Sequence, residues 1–379
     1  MFHLDYESLR VIWWILLGVL LIGFAIMDGF DMGVAICLPF LGKNDLERRL
    51  IINAIGPTWE GNQVWFILGG GAIFAAWPAL YALSFSGFYY AMLLVLLALI
   101  LRPVGFKYRS KLPAQKWRSF WDYALFVGGF VPALIFGVAM GNVLQGVPFH
   151  FDDTLRAYYT GSFFALLNPF ALLCGLLSVS MLTMHGASFL GVKTRDAVQN
   201  RAKTVSRIMA IVTIILFALG GLWISHINAY VVQSTLPHDG PSNPLYKQVE
   251  TQVAAWLNNY QQYQILYIVP GLGFLGALCV IILNNRFKKL AFIGSAMSVL
   301  GIIATVGVSM FPFILPSSSH PSHSLMVWDS SSSMLTLMIM LVATLIFFPI
   351  ILCYTAWVYR VLRGPVTPEV LTQNQESAY

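Results

Sequence analysis

The feature that most constrains the fold is a series of apolar segments, each long enough to cross a lipid bilayer. A transmembrane helix needs about 18 or more consecutive, mostly apolar residues. Nine segments of the sequence meet this length, and they occupy residues 11–41, 50–74, 79–101, 121–144, 163–190, 208–232, 265–283, 290–315 and 335–361. No soluble domain is left over. We therefore predict an all-α integral membrane protein with about nine transmembrane helices, in one transmembrane domain that covers residues 1–379.

The composition agrees with a membrane protein. Hydrophobic residues make up 58% of the chain and charged residues only 10%, whereas a soluble domain has about 25% charged residues. The longest connections, 145–162, 233–264 and 316–334, are rich in Pro, Asn, Ser and aromatic residues. We expect them to form ordered loops at the membrane face, because long loops in compact proteins are seldom without structure of their own.

The distribution of basic residues predicts the orientation. Of the 22 Lys and Arg residues, 19 follow the first, third, fifth or seventh segment or lie near the C-terminus. Only Arg10, Arg156 and Lys247 lie on the other side. Because cytoplasmic loops are enriched in Lys and Arg, the N-terminus is predicted to be periplasmic and the C-terminus cytoplasmic. The net charge of +6 is then a topology signal, and it gives little support to nucleic-acid binding.

Several ionisable residues lie inside or at the ends of the first four segments. Asp28 and Asp31 lie in the stretch GFAIMDGFDMGVAICLPFL, about 25 and 30 Å below the outer end of the first helix. Glu60 lies about 15 Å above the cytoplasmic end of the second helix, near the depth of Asp31. Arg102 and Asp122 are predicted to mark the cytoplasmic rim. Gly29 and Gly33 flank the aspartates, and small residues of this kind permit close helix packing.

Ionisable groups within a membrane are usually functional, because burying them is costly. The acidic residues could form a proton conduit, since a desolvated carboxylate can take up and release a proton. Alternatively, Arg102 could pair with Asp122 or Glu60 in a purely structural salt bridge. A proton-coupled secondary transporter would also contain such residues, although it would usually show matching features in both halves of the chain. A structural scaffold is a further alternative.

Several polar and aromatic strings, spread in order along the chain, resemble subunit II of the cytochrome bd family of quinol oxidases. They include DGFDMG, WEGNQVW, FSGFYYAM, RPVGFKYRSK, GNVLQGVPF and MFPFILPSS. The resemblance implies a multi-pass protein of the bacterial cytoplasmic (inner) membrane that pairs with subunit I. The complex would oxidise quinol and reduce dioxygen to water, with two haems b and one haem d held by subunit I. Subunit II would contribute to proton uptake and can hold a quinone as a structural ligand. The sequence leaves open whether a small single-helix accessory subunit joins the complex.

The resemblance also assigns site residues. Asp28, Asp31, Arg102 and Asp122 keep the residue types of the family, and together with Glu60 they form the predicted proton pathway. Glu60 replaces an aspartate that some members carry, so the carboxylate is preserved on a longer side chain. Lys107 stands in FKYR where some relatives have an acidic residue, which puts an acidic collector at the cytoplasmic mouth in doubt.

Haem ligation by this chain itself is not expected. Only His185, in SMLTMHGASF, lies at a plausible membrane depth. A single histidine on a packed helix is more often hydrogen-bonded than bound to iron. We therefore predict that this chain has no metal site, no cofactor of its own and no residue that carries out the redox chemistry.

Overall fold

The structure is a computed structural model that describes residues 4–369, so residues 1–3 and 370–379 of the predicted domain lie outside the described part. Each predicted apolar segment contains at least one helix. The helices are α1 (Tyr6–Leu41), α2 (Asp45–Ile55), α3 (Trp59–Ala76), α4 (Pro78–Gly87), α5 (Tyr89–Tyr108), α6 (Gln115–Gln145), α7 (Pro169–Lys193), α8 (Asp196–Ile224), α9 (Asn258–Gln262), α10 (Ile268–Leu283), α11 (Lys288–Met310) and α12 (Met334–Val361).

Eight of the helices in residues 4–369 are long and apolar enough to cross a membrane, namely α1, α5, α6, α7, α8, α10, α11 and α12. This agrees with an all-α membrane protein, but it is one fewer than the sequence predicts. The predicted segment 50–74 is divided between α2 and α3, because Pro57 lacks the N–H that would continue the first of them. The first turns of α3 carry Glu60, Asn62 and Gln63, so its average hydropathy is low.

The third predicted segment also differs from the expectation. It contains α4 and α5, and α5 continues through Pro103 to Tyr108. Proline removes one backbone hydrogen bond, but the following turn is held by the buried residues Gly105 and Phe106. Arg102 therefore lies inside a helix, about 9 Å before its end, rather than at an exit from the membrane.

The connections contain three two-stranded antiparallel sheets, β1–β2, β3–β4 and β5–β6. The strands are β1 (Phe149–Phe151), β2 (Ala157–Tyr159), β3 (Asn228–Val232), β4 (Val249–Val253), β5 (Phe313–Leu315) and β6 (Leu325–Met326). The ends of the predicted segments 208–232 and 290–315 thus form β3 and β5, because an apolar run alone does not distinguish a strand from a helix. The prediction that the long connections are ordered is confirmed.

All three sheets lie at one end of the helix bundle, called here the hairpin end. The start of α1 is at this end, where the Tyr6 hydroxyl donates to the Ser332 carbonyl at 2.7 Å. The other end, called here the basic end, carries the connections rich in Lys and Arg. The end of α12 is there, where Lys193 Nζ donates to the Leu362 carbonyl. The described N- and C-terminal residues therefore lie at opposite ends of the bundle.

Buried tryptophans connect the sheets and helices at the hairpin end. Trp256 is fully buried, and its indole N–H donates to the Leu144 carbonyl at 2.9 Å. The Trp13 indole N–H donates to the Leu337 carbonyl at 2.9 Å. Buried indoles usually find such partners, and here the bonds tie α1 to α12 and the hairpin region to α6.

Two of the three basic residues at the hairpin end are buried and satisfied. Arg10 is 0% exposed and donates to Ser331 Oγ at 2.8 Å and to the Gly240 carbonyl at 2.9 Å. Lys247 Nζ lies 2.6 Å from Asp329 Oδ2 in a buried ion pair. Both cations are therefore buried groups that hold the connections of the hairpin end together.

Three histidine rings lie close together beside the first sheet. The ring centroids of His150 and His320 are 5.0 Å apart, and those of His320 and His323 are 5.2 Å apart. The Phe151 N–H donates to His323 Nδ1 at 3.0 Å. Burial lowers the pKa of His323, and the nearby His320, Lys247 and His150 lower it further. The neutral ring, which can accept the Phe151 N–H, is therefore the favoured form.

Candidate functional site

α1 is the central helix of the region that contains the predicted site residues, and it packs against α3, α6 and α7. At Gly33, an added Cβ would clash with the backbone of Leu182 and Gly186 in α7. At Gly129 of α6, an added Cβ would lie 2.6 Å from the Met32 carbonyl oxygen. The prediction that glycine beside the aspartates permits close helix packing is confirmed.

Asp28 and Arg102 form a buried bidentate ion pair between α1 and α5. Arg102 NH2 donates to Asp28 Oδ1 at 2.7 Å and NH1 donates to Oδ2 at 3.0 Å, and both side chains are 1% exposed. Gly128 of α6 leaves room for the arginine, because an added Cβ would lie 2.8 Å from Arg102 Cγ. The predicted structural partners of Arg102, Asp122 or Glu60, were therefore wrong.

Asp31 lies on the same face of α1 but has a different kind of partner. Its Oδ2 accepts from Asn62 Nδ2 at 2.7 Å, and the Tyr359 hydroxyl donates to Asn62 Oδ1 at 2.7 Å. Asp31 is 0% exposed, and its Oδ1 has no hydrogen-bond partner within residues 4–369. A hydrogen-bonded chain thus runs from α12 through α3 to Asp31.

Asp122 is the centre of an ion-pair network at the basic end of the bundle. Its Oδ1 accepts from Arg109 Nε at 2.6 Å and its Oδ2 from Arg48 NH1 at 2.8 Å. Arg109 NH2 also lies 3.0 Å from Asp45 Oδ1, and Asp45 pairs with Arg118 at 2.7 Å. The network joins α6 to α2 and to the turn that follows α5.

Glu60 is exposed on the surface of the chain, in the first turn of α3. Within the described residues it forms no ion pair with Arg102 or with any other cation. Asn62, one half-turn later, bonds to Asp31, so the start of α3 does lie at the predicted depth of Asp31. Glu60 is thus at the right depth, but it faces away from the buried acids.

The buried acids and the buried base are unequal in number. Arg102 pairs directly with Asp28 and lies within electrostatic range of Asp31, so one guanidinium faces two carboxyl groups. A net charge buried in a low-dielectric environment is unfavourable. Uptake of one proton by the two aspartates makes the group neutral, and this arrangement can therefore bind and release a proton.

The ring of His185 is not free to bind a haem iron. His185 is the only histidine inside the candidate spans of the described chain, and it is fully buried. Its Nδ1 lies 2.8 Å from Ser295 Oγ and its Nε2 lies 3.0 Å from the Ile26 carbonyl oxygen. The ring also stacks on Phe292 with centroids 4.9 Å apart. Both ring nitrogens are therefore engaged, and residues 4–369 contain no group of three or more His, Cys, Asp or Glu residues that could hold a metal ion.

Sequence reasoning missed three partners of the site: Arg48, Arg109 and Tyr359. Both arginines were counted only as topology signals, although their positions near Asp122 in depth could have suggested ion pairs. Tyr359 lies beside Arg360 in the last turn of an otherwise apolar helix, and a polar group at membrane depth usually has a partner.

Comparison with known proteins identifies the family that the whole chain matches. The family model described as cytochrome bd terminal oxidase subunit II matches residues 9–362. A probable cytochrome oxidase subunit 2 from Haemophilus influenzae is 54% identical over 99% of this chain and 100% of that protein. The cytochrome bd-I ubiquinol oxidase subunit 2 of Escherichia coli is 51% identical over the same shares.

More distant proteins agree. The cytochrome bd ubiquinol oxidase subunit 2 of Bacillus subtilis is 32% identical over 95% of this chain and 97% of that protein. A solved chain of the bd oxidase from Geobacillus thermodenitrificans shares the fold, with a TM-score of 0.68 and 16% identity over 94% of this chain and 98% of that chain. These matches do not support the secondary-transporter alternative. With a family match from residue 9 to residue 362 and close relatives over nearly its full length, the chain belongs to the cytochrome bd terminal oxidase subunit II family.

Proposed function

We propose that this chain is the subunit of a quinol oxidase that supports a haem-bearing partner and brings it protons from the cytoplasm. The partner, subunit I, would hold two haems b and one haem d, and there quinol would be oxidised and dioxygen reduced to water. The absence of a free ring nitrogen at His185 supports the assignment of the haems to the partner. The buried acid Asp31, which has no cation of its own, is the observation that carries the proton role.

The proposed topology has nine membrane crossings in the bacterial inner membrane, with the hairpin end in the periplasm. α3 would supply the crossing that is added to the eight apolar helices. It starts at the depth of Asp31 and ends at Ala76, whose carbonyl accepts from the Ser332 N–H at 2.8 Å at the hairpin end. The basic end would face the cytoplasm, in accord with the positive-inside rule.

Each acidic residue has a separate proposed role in proton uptake. Asp122, held by Arg48 and Arg109, marks the cytoplasmic mouth. Asp28 pairs with Arg102 through two hydrogen bonds, and the two groups set the electrostatic environment of Asp31. Asp31 and Glu60 are the groups that exchange protons, because neither is paired with a cation in the described chain. Hydrocarbon offers no path to a buried oxygen-reducing site, so titratable groups of this kind are required.

The exposed face of α3 is the proposed docking surface for subunit I. Glu60, Gly61, Ile67, Gly71 and Phe74 are exposed along this face, and an added Cβ at Gly61 or Gly71 would meet nothing within 4 Å. A carboxyl group at membrane depth is costly when it faces lipid. Cover by a partner chain removes that cost, and it places Glu60 between the two subunits, where protons could pass from one to the other.

The test uses the purified, haem-replete complex with its partner subunit. We expect Glu60→Gln and Asp31→Asn to slow quinol-driven oxygen uptake by about tenfold or more, since both variants keep the side-chain size but lose the exchangeable proton. Haem content and assembly should change little, and proton uptake measured in vesicles should fall with turnover.

A carboxylate outside the pathway provides the control. Glu7 is 47% exposed at the hairpin end, where it pairs with His238, so Glu7→Gln should leave turnover unchanged. Wild-type turnover in both Glu60→Gln and Asp31→Asn would show that these acids are packing elements and that protons enter through the partner subunit.

A further inference from the structure

Tyr359 contacts the candidate site from a helix that is otherwise at the edge of the bundle. The only buried residues of α12 are Leu337 and Leu341, near its start at the hairpin end. At the basic end the helix is largely exposed, yet the half-buried Tyr359 directs its hydroxyl to Asn62. Through Asn62, this hydroxyl connects the last helix to the carboxyl group of Asp31, and it also interacts with the Thr58 side chain at the start of α3.

We propose that Tyr359 is a positioning residue that, through Asn62, selects Oδ1 of Asp31 as the oxygen that gains and loses the proton. The inference rests on the proposed role of Asp31 in proton uptake. It adds Asn62 of α3 and Tyr359 of α12 to the carboxylates of the proposed proton pathway. Asn62 donates the hydrogen bond to Asp31, and Tyr359 orients the amide of Asn62.

The hydrogen-bond directions follow from the chemistry of the groups. An amide has a carbonyl oxygen that only accepts and an NH2 group that only donates. Because the Tyr359 hydroxyl donates to Asn62 Oδ1, the NH2 group of Asn62 is turned towards Asp31. Oδ2 of Asp31 is then held as an acceptor. Oδ1, which has no partner among the described residues, is the oxygen left to carry the proton.

In the reversed orientation of the amide, its carbonyl oxygen would face Asp31. Oδ2 could then be bonded only by carrying the proton itself, and the negatively charged form of Asp31 would lose its donor. The Tyr359 hydroxyl can accept from the reversed amide, but as a donor it favours the orientation that supports the charged carboxylate. The tyrosine thus biases the amide towards the state in which Asp31 can release its proton.

The other ionisable groups that face Asp31 are Asp28 on its own helix and Arg102 on α5. They pair with each other through two hydrogen bonds, and within the described residues neither of them is hydrogen-bonded to Asp31, whose Oδ1 has no partner. Asn62 is therefore the sole hydrogen-bond donor to this carboxyl group within residues 4–369. Its orientation determines how tightly Asp31 holds a proton.

The experiment measures turnover against pH in the assembled complex for Tyr359→Phe and Asn62→Leu. A carboxylate that loses a donor holds its proton to higher pH. We therefore expect the pH of half-maximal turnover to rise by about one unit in Asn62→Leu and by less in Tyr359→Phe. Tyr354→Phe is the matched control, because this tyrosine is 47% exposed on the same helix, and its profile should equal that of the wild type.

Infrared difference spectroscopy of the same samples measures the C=O stretching frequency of Asp31. This frequency would stay unchanged if the Tyr359 hydroxyl had only a structural role. The C=O stretching band of Asp31, identified by its loss in Asp31→Asn, should shift in Tyr359→Phe and stay in place in Tyr354→Phe. If Asp31→Asn is slow but Tyr359→Phe has the wild-type pH profile and band, the inference about Tyr359 is wrong and the proton role of Asp31 stands. If Asp31→Asn turns over at the wild-type rate, the proposed function itself fails.

Loss of assembly in Tyr359→Phe would also overturn the inference, since the hydroxyl would then be an anchor for α12. The variant removes a single oxygen atom and keeps the ring in place, so we expect the complex to assemble normally.

Discussion

Removal of the Arg102 guanidinium tests whether the ion pair with Asp28 holds the helix bundle together. The variant Arg102→Met keeps most of the aliphatic stem that passes Gly128 but removes both hydrogen bonds to Asp28, which measure 2.7 and 3.0 Å. Because Asp28 is only 1% exposed, water cannot replace the lost partner without a rearrangement of α1, α5 and α6.

The magnitude follows from this burial. Breaking a buried ion pair by removal of one member costs about 3–5 kcal/mol, which corresponds to roughly two to nearly four orders of magnitude in an equilibrium constant. Replacement of both members by apolar groups is often close to neutral. We therefore expect Asp28→Leu combined with Arg102→Met to be less destabilising than Arg102→Met alone, with a coupling free energy of about 2 kcal/mol or more.

The assay compares the amount of haem-replete complex in membranes and its half-life during thermal inactivation. A half-life is the appropriate measure, because large membrane complexes usually unfold irreversibly. Glu7→Gln at the exposed pair with His238 serves as the control, and it should cost less than about 1 kcal/mol. Equal half-lives for Arg102→Met and the wild type, or strictly additive effects in the double variant, would refute the structural importance of the pair.

Three further predictions concern other parts of the chain. His185→Ala should leave the haem absorption bands of the assembled complex intact, and loss of one b-type band would contradict the assignment of all haems to the partner. Burial lowers the pKa of His323 below 6.5, so its stabilising bond from Phe151 is present above about pH 6.5 and is lost as the pH falls through the folded-state pKa. Hydrogen exchange of residues 149–159, corrected for intrinsic rates, should therefore increase on acidification, and less so in His323→Gln. Gly186→Ala should destabilise the complex by about 1–3 kcal/mol or more, because the added methyl group would overpack the contact with Gly33 of α1. Gly221→Ala has open space around it, so it should be neutral or stabilising by up to about 1 kcal/mol. Equal thermal stability of the two variants would contradict the close contact of α1 and α7.

The importance of the buried charges was predictable from the sequence, but their pairing was not. Asp28 and Asp31 stood out because charged groups are rare in apolar segments. Their partners lie 74 and 31 residues away, and Tyr359 lies 297 residues from Asn62. Nothing in the local pattern specifies how each helix rotates about its axis, and this rotation decides which side chains meet. For the same reason the sequence predicted the depth of Glu60 but not that its side chain faces away from the buried acids.

The sequence by itself determined the class of the protein, the approximate limits of its helices, the family and the uneven distribution of charge. These properties follow from hydropathy, length and residue order, which act along the chain. Only the tertiary structure decided that Arg102 neutralises Asp28, that Asp31 has an amide instead of a cation for a partner, and that Asp122 belongs to a network with Arg48 and Arg109. It also divided one predicted span into α2 and α3 and turned the ends of two others into strands. The physical reason is that these features depend on close packing between distant helices, which glycines such as Gly33 and Gly128 permit but do not specify.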